Sequence, residues 1–212
     1  MKILWHSSAP WSPSSYAILT SRVVPDLVKA GHQVILSTWH GLQGGPRPWV
    51  INDANGHQVG EVPILPSVDG ANYGVGALPD IYRYTEPDIL ITVCDVWVFP
   101  KRVTGQTNFC PWLPIDHDPA PASVLGSIEP AIYPMVYSRW GVDVLARSGV
   151  RAHYVPCGAP SDVFTPGSQA EARKKFSFAD NDNPFIITMV SANKDHQDRK
   201  GFQEALVGFA KF

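Results

Sequence analysis

Three side chains able to bind or exchange a proton stand in a row at Asp116, His117 and Asp118, after an apolar run over residues 108–115. Read as metal ligands, one histidine and two acids in consecutive positions cannot all face one ion without help from elsewhere. Read as ligand contacts, Asp116 or His117 would sit at the carboxyl end of a strand and position hydroxyl groups of a bound molecule. A polar loop packed on its own backbone is the plainer alternative. Asp95 and Trp97 follow another apolar run, residues 88–93, and pose the same choice between ligand contact and loop packing. The cysteines, Cys94, Cys110 and Cys157, are odd in number, far apart and never in a C-x-x-C. Neither a disulfide framework nor a zinc site is expected, and all three read as small buried apolar groups.

The elements that must position these residues follow from periodicity. Residues 2–6 form a first strand, and Tyr16, Leu19, Val23, Val24, Leu27 and Val28 recur at helical spacing, with Pro25 expected to bend that helix. Gly31 stops it, and residues 32–39 make a second strand. Residues 49–60 read as a hairpin around 53–56, 62–66 as a further strand, 70–76 as a flexible link and 77–85 as a helix. The runs 88–93 and 108–115 are near-continuously apolar, as expected of strands covered on both faces. A short helix follows over 122–128.

Residues 133–166 then give strand, helix, strand and a proline-marked exit, with Ser138 as N-cap and Gly149 as the left-handed stop. Such a βαβ unit places ligands at one edge of a parallel sheet. Ser168 and Glu171 open a capped helix, residues 181–184 make a turn, and 185–190 read as a new buried strand. Phe202, Ala205, Leu206, Phe209 and Ala210 repeat at helical spacing after it.

Bulk properties narrow the function. The 212 residues suffice for one full α/β domain and a remainder, but not for two whole Rossmann domains. A net charge of -2 gives no basic field, so a nucleic-acid partner is not expected. The amino terminus lacks a signal-peptide core and no run approaches the roughly 18 apolar residues of a membrane span. A soluble, cytoplasmic chain is expected, with peripheral membrane contact left open. A nicotinamide or flavin oxidoreductase needs G-x-G-x-x-G after the first strand, and residues 6–15 contain no glycine.

The exit carries the most specific pattern. Pro156, Cys157 and Gly158, then Asp162, Phe164 and Pro166, then the charged run 171–175, resemble the stretch that closes the first domain of family-4 glycosyltransferases. These are retaining enzymes built from two Rossmann-like domains, the GT-B fold. Pro114, Ile115, Asp116, His117 and Pro119 are similar to a second family segment, and Gly31-His32 to the end of its first helix. Where many relatives carry glycines in the first loop, this chain has Ser14 and Ser15 before Tyr16; the alternative for these serines is a capped helix start and nothing more. The acid-x-acid spelling of 116–118 also resembles the metal-dependent GT-A enzymes, but a second Rossmann start at Phe185 argues against that fold.

The resemblance implies a Rossmann-like acceptor-side domain over 1–166, a linker helix and turn over 167–183, and the first strand and helix of an incomplete nucleotide-sugar domain over 184–212. It implies transfer of a sugar from a nucleotide-sugar donor to a sugar, lipid or protein acceptor, with no cofactor and no metal. His117 and Asp116 take the catalytic positions, Arg199, Lys200 and Asn193 the donor phosphates, and Ser14, Ser15, Tyr16 and Asp95 the acceptor or loop contacts. Two cations ahead of a helix add to its dipole and can neutralise a departing diphosphate. The family's glutamate pair, seven residues apart, has no counterpart in 185–212, so this chain alone is expected to be inactive. A noncatalytic acceptor-binding module on the same half-fold is the competing reading.

Overall fold

Short apolar runs alternating with amphipathic helices leave few options but a sheet sandwiched between helical layers. The computed structural model describes residues 1–67, 73–177, 185–191, 198 and 200–212, and divides into two units, Met1–Gly158 and Ala159–Phe212.

In the first unit, β1 (Lys2–Ser7) leads into α1 (Ser15–Lys29) and β2 (Gln33–Thr38). β3 (Arg47–Asn52) and β4 (Gln58–Pro66) form the hairpin, followed by α2 (Leu78–Thr85) and β5 (Ile89–Val93). A 3-10 turn at Val96–Val98 and the one-turn helix α3 (Lys101–Thr104) precede β6 (Phe109–Leu113) and α4 (Ala122–Ile128). β7 (Met135–Val136), α5 (Arg139–Arg147) and β8 (His153–Tyr154) complete the unit. The strands line up as β3-β4-β2-β1-β5-β6-β7-β8, parallel except for β3. Chain order reverses between β1 and β5, which makes their carboxyl ends the switch point of a Rossmann-like sheet.

Both faces are buried, which explains the unbroken apolar runs. Leu4, Leu90, Phe99, Phe109 and Leu113 pack on one side of the sheet; Ile3, Trp5, Val24, Leu36 and Trp112 pack on the other. Full burial of side chains of this size contributes roughly 1.5–3 kcal/mol each. The helix ends follow their sequence signals. Ser14 Oγ accepts from Ala17 N and Ser138 Oγ from Gly141 N, at 3.1 and 3.0 Å. Gly149 takes φ +78°, the left-handed value a glycine stop supplies.

Several expectations are corrected. Residues 58–66 form one strand rather than a hairpin arm and a separate strand. Pro63 does not break it, because β4 pairs with β2 only from Ile64 onward. α1 runs unbroken through Pro25. The strands of the predicted βαβ unit are only two residues each, since β7 meets just Trp112 and Leu113 and β8 just Met135 and Val136. Cys94 and Cys110 are buried as expected, but Cys157 is exposed on the loop beyond β8.

The second unit holds α6 (Gln169–Lys175) and α7 (Phe202–Lys211). Ser168 Oγ caps α6 through Glu171 N at 3.3 Å. The run 185–190 is not a strand: no strand among the described residues pairs with it, and Phe185 and Val190 are exposed. An apolar run becomes a buried strand only when a neighbour completes its ladder. The turn expected over 181–184 and the flexible link over 70–76, apart from 73–76, lie outside the described residues.

Candidate functional site

The carboxyl ends of β1 and β5 carry the best-organised polar side chains of the first unit. Tyr16, in the first turn of α1, donates its hydroxyl to Asp95 Oδ1 at 3.1 Å, so the start of α1 and the exit of β5 are joined across the switch point. Burial first, and then the Asp95 charge, push the Tyr16 hydroxyl well above its ordinary value. It therefore stays protonated and serves as a donor rather than a base. Below this pair Ser7 Oγ reaches the Val93 carbonyl at 3.3 Å, and Trp5 Nε1 donates to Thr20 Oγ1 at 3.1 Å, locking β1 to its neighbours and to α1. Ser14 caps the helix, and the backbone N–H groups of Ser15 and Tyr16 have no acceptor among the described residues, as is usual for the first turn of a helix.

The first loop achieves its course without a glycine of its own. Ala9 N and Ser12 Oγ both donate to the His40 carbonyl, at 2.8 and 3.2 Å, and Trp11 Nε1 donates to the Gly41 carbonyl at 2.6 Å. The Arg47 guanidinium lies 4.0 Å over the Trp11 ring. Close approach is provided instead by Gly41, at φ +84°, where a Cβ would come within 1.7 Å of Ser12 Oγ. Loop and site are thus held from the β2 side.

Sequence reasoning missed a histidine at the centre of this edge. His6, one residue before the end of β1, is fully buried, its Nδ1 2.9 Å from Ser37 Oγ and its Nε2 2.8 Å from the Tyr73 carbonyl. A carbonyl only accepts, so Nε2 carries a proton, while Nδ1 can accept from or donate to the Ser37 hydroxyl. The ring also meets Phe99 edge-on at 5.6 Å. Its partners lie 31 and 67 positions away, so no local signal could have pointed to it. Four further buried polar atoms, Ser8 Oγ, Thr38 Oγ1, Trp39 Nε1 and Ser67 Oγ, lie at the ends of β1, β2 and β4 with no hydrogen-bond partner among the described residues.

The other candidate residues are placed differently. Asp116 and His117 follow β6, on the same sheet edge, and bond to each other at 2.7 Å with side chains 77 and 68% exposed. Asp118 turns to Arg147 at 2.6 Å. None of the three contacts the Tyr16–Asp95 pair. In the second unit Lys200 is exposed, while Asn193 and Arg199 lie outside the described residues. The N-terminus of α7 is already occupied, because the Asp198 carboxylate accepts from Phe202 N at 2.9 Å and Gln203 N at 2.8 Å. Among the described residues no cluster of three metal-ligating side chains occurs, and no helix is long and apolar enough to cross a membrane.

The chain matches no protein-family model and no curated protein. Among solved structures it is similar to a sucrose-phosphate synthase from Thermosynechococcus elongatus, with a TM-score of 0.59 and 15% identity over 84% of this chain. The match spans 53% of that protein, so this chain corresponds to about half its length. At that identity the likeness establishes the fold: an α/β, Rossmann-like half-domain with its switch point between β1 and β5.

Proposed function

We propose that this chain is the acceptor-side half of a GT-B glycosyltransferase of the family-4 type, moving a hexose from a nucleotide-sugar to an acceptor without a metal or other cofactor. The observation that carries the reading is the switch point itself. A Rossmann-like sheet presents a capped helix start and a tyrosine–carboxylate pair where ligands of such sheets bind, on a fold similar to that of a sucrose-phosphate synthase. Residues 167–183 form the link to the donor lobe, which begins at 184.

In this reading the sugar passes through an oxocarbenium-like state. The protein then has two tasks, to stabilise the departing diphosphate and to hold the acceptor hydroxyl in line. Arg199, Lys200 and Asn193 serve the first from the donor side. The N–H groups of Ser15 and Tyr16, with Ser14 and Asp95, shape the acceptor side, and Asp116 and His117 orient the incoming hydroxyl. The enzyme works in the cytoplasm, where nucleotide-sugars are its partners.

Calorimetry of the 212-residue chain with UDP-, GDP- and ADP-sugars tests this. Weak, millimolar binding with a preference for one base is expected, with no turnover. Absence of binding to every nucleotide-sugar would remove the donor assignment. Measurable transfer by this chain alone would remove the half-enzyme assignment.

A further inference from the structure

A cleft of about 740 Å³ opens next to the switch point, within the size range of small-molecule sites. One wall begins at Tyr73, whose carbonyl receives His6, and continues through Val75 into α2. The other begins at Trp97, two residues past Asp95, and continues through Pro100 to Arg102 and α3.

The aromatic part is preformed. Tyr73 adopts φ +53°, a left-handed conformation that costs a bulky residue energy and persists only where its surroundings impose it. Gly74 follows at φ +68°, and a Cβ there would lie 2.5 Å from the Ser67 carbonyl oxygen. The Tyr73 ring rests edge-on against Trp39 at 4.8 Å and against Trp97 at 6.4 Å. Trp97 itself is 55% exposed, leaving apolar indole surface uncovered on the cleft wall. Because the Tyr73 and Trp97 rings meet at 75°, they form a corner and not a parallel slot that would sandwich a nucleobase.

Charge completes the description. Lys101 is paired with Glu129 at 2.6 Å, and Arg83 with Asp80. Arg102 lines the cleft with no ion-pair partner among the described residues. We infer that this cleft binds a sugar-sized ring carrying an anionic group, with the apolar face of the ring on Trp97 and the phosphate or carboxylate on Arg102. This deepens the transferase reading by giving the acceptor's chemical class, and rests on that reading only for the word acceptor. Binding here needs no donor and no turnover, so it stands or falls apart from the nucleotide-sugar titration.

The test is calorimetry of the full chain at constant ionic strength with glucose 6-phosphate, glucuronate, glucose and AMP. Saturable binding of glucose 6-phosphate or of glucuronate supports the site and identifies the anion as phosphate or carboxylate. Arg102→Gln should then weaken that binding about tenfold or more, as expected for a charge-assisted contact. Trp97→Ala should weaken it as well, and Lys101→Gln should leave it within about twofold, each variant first shown to be folded by circular dichroism. Failure of both anionic sugars to bind, equal binding of glucose, tighter binding of AMP, or indifference to Arg102→Gln would each overturn the inference.

Discussion

The Tyr16–Asp95 pair and the Asp116–His117 pair are both contacts of a ring with a carboxylate at one sheet edge, yet they are built differently. Tyr16 and Asp95 come from elements 79 positions apart, are half-buried, and are braced beneath by Ser7, Trp5 and Thr20. Asp116 and His117 are chain neighbours, largely in water, and satisfy each other. A pair assembled across the fold and shielded from water has a fixed geometry, whereas an exposed neighbouring pair is a weak, screened contact. Residue type made the second pair conspicuous; tertiary placement makes the first one the organised site.

The sharpest way to break this comparison is to remove the buried ring that ties the end of β1 to Ser37 on β2 and to the Tyr73 carbonyl. His6→Ala would leave Ser37 and the Tyr73 carbonyl without their partner and a void against Phe99. A loss of about 2–5 kcal/mol in urea unfolding is expected. An effect below about 1 kcal/mol would show that the edge is not organised around this ring.

Asp95→Ala comes next. It strands the Tyr16 hydroxyl and should cost about 1–3 kcal/mol, most of which a Tyr16→Phe background should remove. Alongside the Cys94 and Cys110 thiols, which burial also pushes up, the same tyrosine contributes to the alkaline edge of stability. Its folded value is raised, chiefly by burial and also by Asp95, and that of Tyr137 is raised chiefly by burial. Their contribution is therefore complete below about pH 10, where the unfolded tyrosine starts to ionise, and declines as pH rises beyond it. Tyr16→Phe should flatten that decline in thermal melts taken from pH 9 upward.

The smallest effect belongs to the other pair. His117→Ala and Asp116→Ala should each change stability by no more than about 0.5 kcal/mol. If either matched Asp95→Ala, the contrast between the two pairs would disappear.

The sequence reading succeeded where a signal was local. The apolar runs of β1, β2, β5 and β6, the caps at Ser138 and Ser168, and the stop at Gly149 all depend on neighbours within a few residues, as does the Ser14 cap, which the sequence offered only as the alternative to ligand contact. It failed where a partner strand decides the outcome. Residues 185–190 have the composition of a strand but no described partner, and the two strands around α5 are trimmed to what their neighbours can pair. The site was half legible for the same reason. Tyr16 and Asp95 were visible as residues at element ends, but their contact, the His6 bridge and the Tyr73–Trp97 corner arise only when the sheet brings distant loops together. Cys157 reads as apolar filler only until its loop is seen to carry it into solvent.

Amide chemical-shift mapping of the full chain during titration with free sugars as acceptor probes tests the central claim most directly. The account predicts that the largest perturbations fall on Ser15, Tyr16 and Asp95 at the β1–β5 crevice. Perturbations confined to residues 116–118, or none in the first unit at saturating ligand, would contradict it.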